Sequence, residues 1–561
     1  MKYKKIIPII FCINCLFAQE SLKSIEEEYY DFLSLQGITE RPTLGYRTLS
    51  DSVWTLDENT EHLWQDNNLG TTFKLYELNK DKNFFTKGLN TAIKLKIYGP
   101  EWYNSYNTAA PYGQNDGALW QGKGYNTSLT AGARLEAFGF ELTLKPQVTF
   151  SQNLEFETMP SSYDSEYGYF WGYAKNIGID APQRFGDKAF WTFDWGDSEL
   201  RWSWHTFTMG FGTQSIWLGP AYLNPILHSN NAATYPKFDL GLRKTSLYMP
   251  HFGWYLGDIE GRIWIGYLSE SGYFDNDDSN NHNQISGFTL SYNPPFIKGF
   301  TIGANKICLS KWGENFWKYL NPFYNENPVG SEVSGEDQKI SFIMDWTSEQ
   351  GGLEFYTEIA IDDKPNNRTS LDSYITHFWH AMAWTFGAKK TVNFNEKYKG
   401  IFIFEWNNTE MSQDFQFNWW YNFGFHHQIT QGYTNKGQYL GSGIGYGGNN
   451  QYLGFKLYYP KGYSEFFILR NNPDNNYLFK EAIYDVSTGE TGALHKRTWN
   501  YFRANFVVSI SSAYYITPNF MILGGVAYDR IVNPLYSYGN KYDAWNNFHF
   551  NFEIKYTFKN N

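Results

Sequence analysis

The chain has little cysteine and no long apolar run. Of its three cysteines, Cys12 and Cys15 lie within the first eighteen residues, so only Cys308 remains for the rest of the chain. A single cysteine excludes an internal disulfide and a cysteine cluster that binds metal, and we expect a packed or lipid-facing thiol. Beyond the first twenty residues no run of about 18 apolar residues occurs, so we expect no transmembrane helix.

The chain also has a deficit of positive charge. It has 46 Lys and Arg residues against 57 Asp and Glu residues, and the formal net charge is −11. An acidic protein repels the phosphate backbone, which argues against a nucleic-acid partner. Aromatic residues, by contrast, make up 20% of the chain. Such a content is typical of the girdles of membrane β-barrels and of surfaces that stack on sugars.

Residues 1–18 have the pattern of a secretory signal peptide. Three lysines among the first five residues precede an apolar region over residues 6–17, and Ala18 is a small residue at the expected cleavage site. The residues before Cys15 are not small, so the segment makes a poor lipoprotein signal.

Residues 19–88 form a segment too short to bury much core by itself. Ser24 and Glu27 have the spacing of a capping box, which predicts a helix that ends near Gly37. A second short helix is predicted over residues 50–63. We expect this partly helical segment to dock on, or to plug, the periplasmic end of the domain that follows; the alternative is a loosely ordered linker.

A strict alternation near the C-terminal end sets the pattern for the rest of the chain. From residue 548 to residue 558 every second side chain is apolar, and the side chains between them are polar. Successive side chains of a strand point to opposite faces, so one face is apolar and the other polar. A soluble sheet uses this pattern once or twice. Its repetition through most of the chain predicts an outer-membrane barrel with lipid outside and a polar lumen.

Counting such segments over residues 89–558 gives about 18 strands, joined alternately by short and long connections. This parity is expected of an all-β, transmembrane antiparallel barrel over residues 89–561, with short periplasmic turns and long extracellular loops. Pro146 interrupts one strand and predicts a bulge. Residues 196–198, Gly-Asp-Ser, are predicted to be the turn between strands at 187–195 and 199–211.

Three long loops carry unusual motifs. One contains Trp217 and Gly219-Pro220, followed by Ser229-Asn230-Asn231-Ala232 and by Pro236 before the next strand. An earlier loop reads Asn115-Asp116-Gly117-Ala118-Leu119-Trp120-Gln121-Gly122, and a late loop reads Gln431-Gly432-Tyr433-Thr434-Asn435-Lys436-Gly437, then Leu440-Gly441. These motifs, in this order, resemble those of the Wzi family of capsule-assembly outer-membrane proteins. Leu218, which separates Trp217 from Gly219, and His228 before Ser229 are modest departures from the family pattern.

The resemblance implies an 18-stranded barrel with a lectin-like role in holding polysaccharide on the cell, and it brings no catalytic residues. Sugar sites combine flat apolar platforms with amides and carboxylates. The candidates for glycan binding are Asn115, Asp116, Trp120, Trp217, Ser229, Asn230, Asn231 and Tyr433. The candidates for shaping the loops are Gly219, Pro220, Pro236, Gly432 and Gly437. The alternative for all of them is structural, since such residues also build turns and satisfy the backbone of an infolded loop.

Other patterns carry less weight. Residues 443–448 contain a G-x-G-x-x-G string without the strand and helix that a dinucleotide site needs. Glu354 and Glu358 lie on one strand face, which favours a polar lumen wall over a pair of catalytic carboxylates. His426 and His427 are adjacent and point apart on an extended chain, so a shared metal is not expected.

The sequence therefore predicts a non-enzymatic outer-membrane protein without cofactor or metal. Its expected partners are capsular or other surface polysaccharide, outer-membrane lipid and the barrel-assembly machinery during biogenesis, and we expect a monomer. The alternative is a diffusion channel for sugars or other small solutes, because a barrel of this size is wide enough for an aqueous lumen unless something fills it.

Overall fold

The alternating segment near the C-terminal end forms a strand, Ala544–Tyr556, that closes a barrel. It pairs antiparallel with the preceding strand Phe520–Val532 and, through residues 549–555, with the first barrel strand Ala92–Asn107. The aromatic side chains at its even positions are exposed on the outside, and His549 and Lys555 are buried on the inside. The predicted division into an apolar outer face and a polar inner face is confirmed for this strand.

The barrel has 18 antiparallel strands, as predicted. In this computed structural model the described residues are 17–19, 24–56, 60–70, 72–77, 89, 92–158, 179–275, 277–313, 321, 335–362, 382–410, 423–424, 426, 428–473, 503–535 and 544–558. The barrel strands are β1 (Ala92–Asn107), β2 (Gly124–Ala137), β3 (Phe140–Leu144 and Gln147–Ser151), β4 (Phe190–Asp194 and Glu199–Trp204), β5 (Phe207–Gly212), β6 (Lys237–Tyr248), β7 (Tyr255–Ser269), β8 (His282–Asn293), β9 (Phe300–Lys311), β10 (Glu336–Ser348), β11 (Leu353–Asp362), β12 (Met382–Asn393), β13 (Lys399–Asn408), β14 (Asn449–Tyr459), β15 (Gly462–Asn472), β16 (Ala504–Thr517), β17 (Phe520–Val532) and β18 (Ala544–Tyr556).

Short and long connections alternate around the barrel and define its two ends. We call them the short-turn end and the long-loop end. The short connections are 138–139, 205–206, 249–254, 294–299, 349–352, 394–398, 460–461 and 518–519. A small strand, Thr72–Glu77, pairs with the part of β1 nearest the short-turn end. Which end faces the periplasm stays a prediction.

One predicted turn is wrong. Residues 196–198 do not connect two strands; they interrupt a single strand, β4, whose two segments both pair with β3. The hairpin turn is instead at residues 205–206, where His205 has a φ of 52°. The error leaves the strand count unchanged. The bulge predicted at Pro146 is wrong: β3 is interrupted between Leu144 and Gln147, but its register against β2 is the same on both sides of the interruption.

The N-terminal segment contains one of the two predicted helices. Helix α1 spans Ile25–Leu35, and its N-cap Ser24 accepts a hydrogen bond from the backbone N–H of Glu27. The predicted second helix over residues 50–63 is wrong: Val53–Thr55 is a strand, and it pairs with Phe17–Gln19. The predicted cleavage site at Ala18 lies within this pairing, since Ala18 pairs with Trp54, whereas residues 1–16 of the predicted signal peptide lie outside the described residues.

Helix α1 lies inside the barrel at the short-turn end. Tyr29 and Phe32 pack against Tyr458 near the end of β14, and Trp64 stacks on Tyr29 with 4.0 Å between ring centres. The indole N–H of Trp64 donates to the backbone oxygen of Tyr459 at 2.9 Å. These contacts bury an aromatic cluster that ties the N-terminal segment to the wall.

The lumen is filled unevenly. On β6 to β13 the inward side chains are almost all buried, among them Arg262, Ser341 and Thr385. On β15 to β18 and β1 several polar inward side chains stay half-buried, including Glu465 and Glu101, the latter with 32% of its side chain exposed. The filling is therefore denser against β6 to β13, although the N-terminal segment also contacts the other side of the wall through Trp64 with Tyr515 and Glu26 with Lys555.

The described residues contain neither a helix that could span a membrane nor a metal-binding cluster of side chains. Within them no helix has the length and apolar character to cross a bilayer. No group of three or more His, Cys, Asp or Glu side chains there could hold a metal ion. Cys308 is buried on β9, as a packed thiol should be.

Candidate functional site

The loop between β5 and β6, residues 213–236, folds down into the lumen; we call it the infolded loop. Its descent is fixed by Glu405 on β13, whose carboxylate accepts hydrogen bonds from the backbone N–H groups of three consecutive residues, Tyr222, Leu223 and Asn224, at 2.7 to 3.1 Å. The hydroxyl of Tyr356 also donates to it at 2.7 Å. A carboxylate can accept several bonds at once, so one wall residue satisfies a whole turn of buried backbone.

The N-terminal segment, which enters the barrel from the short-turn end, is also held by a carboxylate of the wall. Glu260 on β7 accepts the backbone N–H groups of Leu44, Gly45 and Tyr46 at 2.7, 2.7 and 3.2 Å. Buried backbone N–H groups need acceptors, and an inward-facing carboxylate provides them where the segment pairs with no strand. Glu260 and Glu405 are thus equivalent anchors for the two segments that enter the barrel.

The two segments meet inside the lumen. Trp217–Leu218 of the infolded loop pairs antiparallel with Tyr46–Arg47 of the N-terminal segment. The N–H of Gly219 then donates to the backbone oxygen of Gly45 at 2.8 Å. Gly219 has a φ of +80°, a conformation that favours glycine. A β-bridge therefore links the long-loop end to the short-turn end through the middle of the barrel.

On the short-turn side of this bridge lies a cluster of charges, in which Glu354 and Lys389 are buried and Arg41 and Asp31 are partly exposed. Arg41 donates to Asp31 on α1, to Asp345 on β10 and to Glu354 on β11 at 2.9, 3.0 and 2.8 Å. Lys389 on β12 donates to Asp31 at 2.7 Å. Burial raises the pKa of Asp31, but Arg41 and Lys389 outweigh burial and hold that pKa below its ordinary value. A cavity of about 360 Å³ between this cluster and the short turns is lined by both signs of charge.

The three loops that carry the motifs come together at the long-loop end. The first is the β1–β2 loop, residues 108–123. Asn115 of this loop has a positive φ, which asparagine tolerates better than most residues. The N–H of Asn115 donates to the side-chain oxygen of Asn231 at 3.1 Å, and its side-chain amide donates to the backbone oxygen of Leu223 at 3.0 Å. The N–H of Gly117 donates to the backbone oxygen of Asn230 at 2.9 Å.

The late loop, residues 409–448, packs on the other side of the infolded loop. The hydroxyl of Tyr433 donates to the backbone oxygen of Leu227 at 2.7 Å. The hydroxyl of Ser229 donates to the backbone oxygen of Gly441 at 2.6 Å. The side-chain amide of Asn231 donates to the backbone oxygen of Tyr439 at 2.9 Å. The infolded loop is therefore the centre of a three-loop layer.

The predicted glycan-binding residues lie in this layer at two depths. Trp217, Ser229 and Tyr433 are fully buried and bonded within the protein; the indole N–H of Trp217 donates to the backbone oxygen of Ala221 at 3.0 Å. The other five are half-buried: Asn115, Asp116, Trp120, Asn230 and Asn231. Direct contact of any of the eight with a glycan stays a prediction.

The predicted loop-shaping residues take up sharp backbone positions. Gly219, Gly432 and Gly437 all have positive φ. A Cβ at Gly432 would lie 2.7 Å from Ile179. The backbone oxygen of Pro236 accepts from the N–H of Tyr267 at 3.0 Å, where β6 begins, and Pro220 lies between the bonded residues Gly219 and Ala221.

Some polar atoms of the layer have no partner among the described residues. They include the side-chain oxygens of Asn115 and Asn230 and the indole nitrogen of Trp120. A buried polar atom without a partner costs about 1–3 kcal/mol. The layer therefore retains hydrogen-bonding capacity of the kind that sugar hydroxyls or water can fill.

Burial also shifts the pKa values of two titratable residues in the loops. It raises the pKa of Asp116 to about 7, although bonds from Gln121 and Gln114 oppose the shift. It lowers the pKa of His228 to about 4. The neutral imidazole of His228 donates from Nδ1 to the backbone oxygen of Ile216 at 2.9 Å, so its Nε2 accepts from the hydroxyl of Tyr235 at 2.7 Å.

Sequence reasoning missed two residues that matter here. Glu405 was not singled out, although the apolar outward residues Phe402, Phe404 and Trp406 place it on the inner face. Asn224 was not singled out either; its side-chain oxygen accepts from the side-chain amide of Gln114 at 2.7 Å. Alternation could have marked Glu405 as inward, but no local pattern identifies its partners.

No known protein family and no curated protein sequence match this chain. Its structure is similar to that of Wzi, an outer-membrane protein involved in group 1 capsule assembly in Escherichia coli and a carbohydrate-binding β-barrel. The TM-score is 0.54 and the identity 11%, over 97% of this chain and 100% of that one. OprB of Pseudomonas putida aligns with a TM-score of 0.36 and 9% identity over 84% of this chain and 94% of its own. OprD of Pseudomonas aeruginosa aligns with 0.36 and 7% over 83% and 92%. At this identity the likeness to Wzi establishes the fold, that of an outer-membrane β-barrel.

Proposed function

We propose that the protein is a lectin-like barrel that binds and retains capsular or other surface polysaccharide on the cell. In this proposal the N-terminal segment faces the periplasm and the three-loop layer faces the outside. The same residues that first suggested capsule assembly, in three loops far apart in sequence, form this layer. The carbohydrate-binding activity named for Wzi, which has the same fold, supports the proposal.

The observation that carries the proposal is the unused hydrogen-bonding capacity of the layer. Two amide oxygens, on Asn115 and Asn230, and the indole nitrogen of Trp120 are buried without a partner among the described residues. Planar amides and aromatic rings are the groups that recognise sugar hydroxyls and sugar C–H faces. Repeating sugars would engage many copies of the protein, so that weak individual sites retain a polymer.

The first test removes the whole protein. Deleting the gene should release polysaccharide into the medium while its synthesis continues. Polymer that stays on the cell in the deletion strain contradicts the proposal. The assay is quantitation of polysaccharide in washed cells and in the medium.

The second test removes one polar atom from the layer. Asn230→Ala eliminates the side-chain oxygen but leaves the backbone oxygen that Gly117 uses. Retained polysaccharide should fall several-fold. The matched control is Asn395→Ala in a turn at the short-turn end, which should retain polymer normally. Equal retention by the two variants counts against the site.

A second candidate function is a diffusion channel. It is favoured by the half-buried polar side chains that face the lumen on β15 to β18 and β1, among them Glu465 and Asn551. Protein in planar bilayers decides between the two: a steady open current supports the channel, and silence supports a closed binding protein.

A further inference from the structure

The barrel wall has a step at one place near the long-loop end. The segment Glu199–Trp204 of β4 pairs with β5 over its whole length. The segment Phe190–Asp194 pairs with β3 on one side, and no strand in the described chain pairs with its other side. Glu199, level with the end of β5, pairs with Thr143 of β3, and Phe190 pairs with Ser151, so the step spans eight residues of β3, or about 26 Å.

The neighbouring strands do not close the step. Both β5 and β6 stop at the same level, where Gly212 pairs with Lys237. Strand β7 then continues past that level, from Gly266 to Ser269. Two strands are thus short between two taller ones, which makes a notch roughly 14 Å wide between the strand axes of β4 and β7. Two other steps in the described part of the rim are smaller: three residues between β10 and β11, where Asp362 pairs with Lys339, and five between β18 and β1, where Asn107 pairs with His549.

Loop side chains bridge the notch without a β-ladder. The hydroxyl of Thr234 donates to the carboxylate of Asp194, the last residue of the upper β4 segment. The ammonium of Lys436 lies 3.5 Å from the same carboxylate. The N–H of Lys436 donates to the backbone oxygen of Ser269 on β7 at 2.7 Å. The turn of the hairpin formed by Thr434–Asn435 and Gln438–Tyr439 therefore spans the notch from one edge to the other.

The two sides of the notch differ in chemistry. Outside, Trp191, Phe193 and Trp195 are 69%, 54% and 58% exposed, and they continue the apolar outer belt of the barrel. Inside lie the carboxylate of Asp194, the hydroxyl of Thr234 and the ammonium of Lys436, whose side chain is 44% exposed. A molecule seated here meets apolar rings on one side and charged and hydroxyl groups on the other.

We propose that this notch is a lateral binding site for a lipid-linked glycan, with its acyl chain along the outer aromatics and its sugar head in the loop layer. The identity of the head group rests on the proposed function. The free side of Phe190–Asp194 has no strand partner in the described chain, and sugar hydroxyls can both donate to and accept from such a strand edge. A free polysaccharide does not use the apolar side of the notch. A bilayer phospholipid does not use the sugar-binding groups of the loops.

The test captures the occupant in the producing cells. A photoreactive benzoylphenylalanine replaces Trp191 at the notch or, as a matched control, Phe552, an exposed aromatic on the outer face of β18. Ultraviolet light should attach glycolipid at the Trp191 position at least about tenfold more than at the Phe552 position, as read by mass spectrometry and sugar staining of the purified protein. Equal capture at both positions, or capture of phospholipid alone at Trp191, overturns the proposal.

A reversible lock provides the second arm. Asp194→Cys with Thr234→Cys places two thiols where the native side chains touch. Oxidation should reduce glycolipid capture at Trp191 to the level at Phe552, and reduction of the disulfide should restore it. Capture that is unchanged by oxidation overturns the proposal, and the reduced sample controls for folding.

The outcomes separate this proposal from the proposed function. If the deletion strain sheds its polysaccharide and the Trp191 position captures only phospholipid, the notch proposal fails and polysaccharide retention stands. If the deletion strain keeps its polysaccharide and the Trp191 position captures glycolipid, polysaccharide retention fails and the notch stands as a glycolipid site.

Discussion

The position of the infolded loop is predicted to depend on Glu405. Its carboxylate accepts from three consecutive backbone N–H groups of the loop and from the hydroxyl of Tyr356. In Glu405→Gln one oxygen becomes an NH₂ group, which cannot accept and faces donors instead. At least one backbone N–H, that of Tyr222 or Asn224, is then buried without an acceptor, and the remaining bonds lose their charge assistance.

The size of the effect follows from those bonds. A hydrogen bond to a charged group contributes about 1.5–3 kcal/mol, and a buried donor without an acceptor costs about 1–3 kcal/mol. A loss of about 3 kcal/mol in the free energy of local opening corresponds to roughly a hundredfold faster exchange of the amides that Glu405 protects. Hydrogen exchange of a peptide that covers residues 216–228 measures it directly.

The matched control is Glu465→Gln on β15. Glu465 is also an inward carboxylate and also accepts from a tyrosine, Tyr452 at 3.0 Å, but it binds no backbone of the infolded loop. The Glu465→Gln variant should leave the hydrogen exchange of the amides of residues 216–228 unchanged. If Glu405→Gln also leaves that exchange unchanged while the barrel stays folded, the carboxylate does not hold the loop, and the reasoning is refuted.

Three further predictions concern the loops and the N-terminal segment. In Gly441→Ala the new Cβ would lie 2.1 Å from the backbone oxygen of Ile226, so proteolysis should cut the late loop faster, whereas Gly524→Ala, which meets no atom within 4 Å, should not change cleavage. Arg41→Ala removes one cation from three carboxylates and leaves Lys389 to pair with Asp31 and Glu354, so urea unfolding in lipid vesicles should show a loss of about 3 kcal/mol; a loss below about 1 kcal/mol would mean that the charges are not buried as pairs. Burial raises the pKa of Glu27 on α1 to about 7, so its contribution to stability is present below pH 4.5 and is lost as the pH rises through about 7; Glu27→Gln should flatten that fall, by up to about 3 kcal/mol, and an unchanged pH profile would contradict the shift.

The strand count could be predicted because a strand is specified by its neighbours in sequence. Alternation with a period of two needs only local side chains, and it gave the number of strands correctly, although it misplaced the boundary between β4 and β5. The misplaced turn shows where local composition fails. Gly196 and Ser198 are residue types that favour turns, but here they form the break within β4. The N–H of Gly196 donates to the Asp194 carboxylate at 2.8 Å. The real turn at His205 and Thr206 has neither glycine nor proline.

The candidate site was predictable in its parts and not in its assembly. The motifs lie in three loops that come together in the structure, but the burial of Trp217 and Tyr433 follows from contacts with residues about 170 to 210 positions away along the chain. The wrong helix over residues 50–63 has the same origin. Ser50 bonds to Glu199 and Asp51 to Arg262 at 3.0 Å each, so wall charges decide the conformation there. Tertiary contacts override the local pattern where polar partners are concentrated.

The polar lumen also explains why both ends of the barrel depend on each other. An 18-stranded barrel encloses more space than its own side chains fill, and its inner faces are polar, so the filling must bring hydrogen-bond donors. Chain segments from each end supply them as backbone N–H groups, to Glu260 and to Glu405. The two segments then pair at Trp217 and Arg47. Displacing either segment therefore leaves backbone donors of the other without acceptors. The three-loop layer is therefore rigid only while the N-terminal segment stays in place, which makes the short-turn end part of the energetics of any site at the long-loop end.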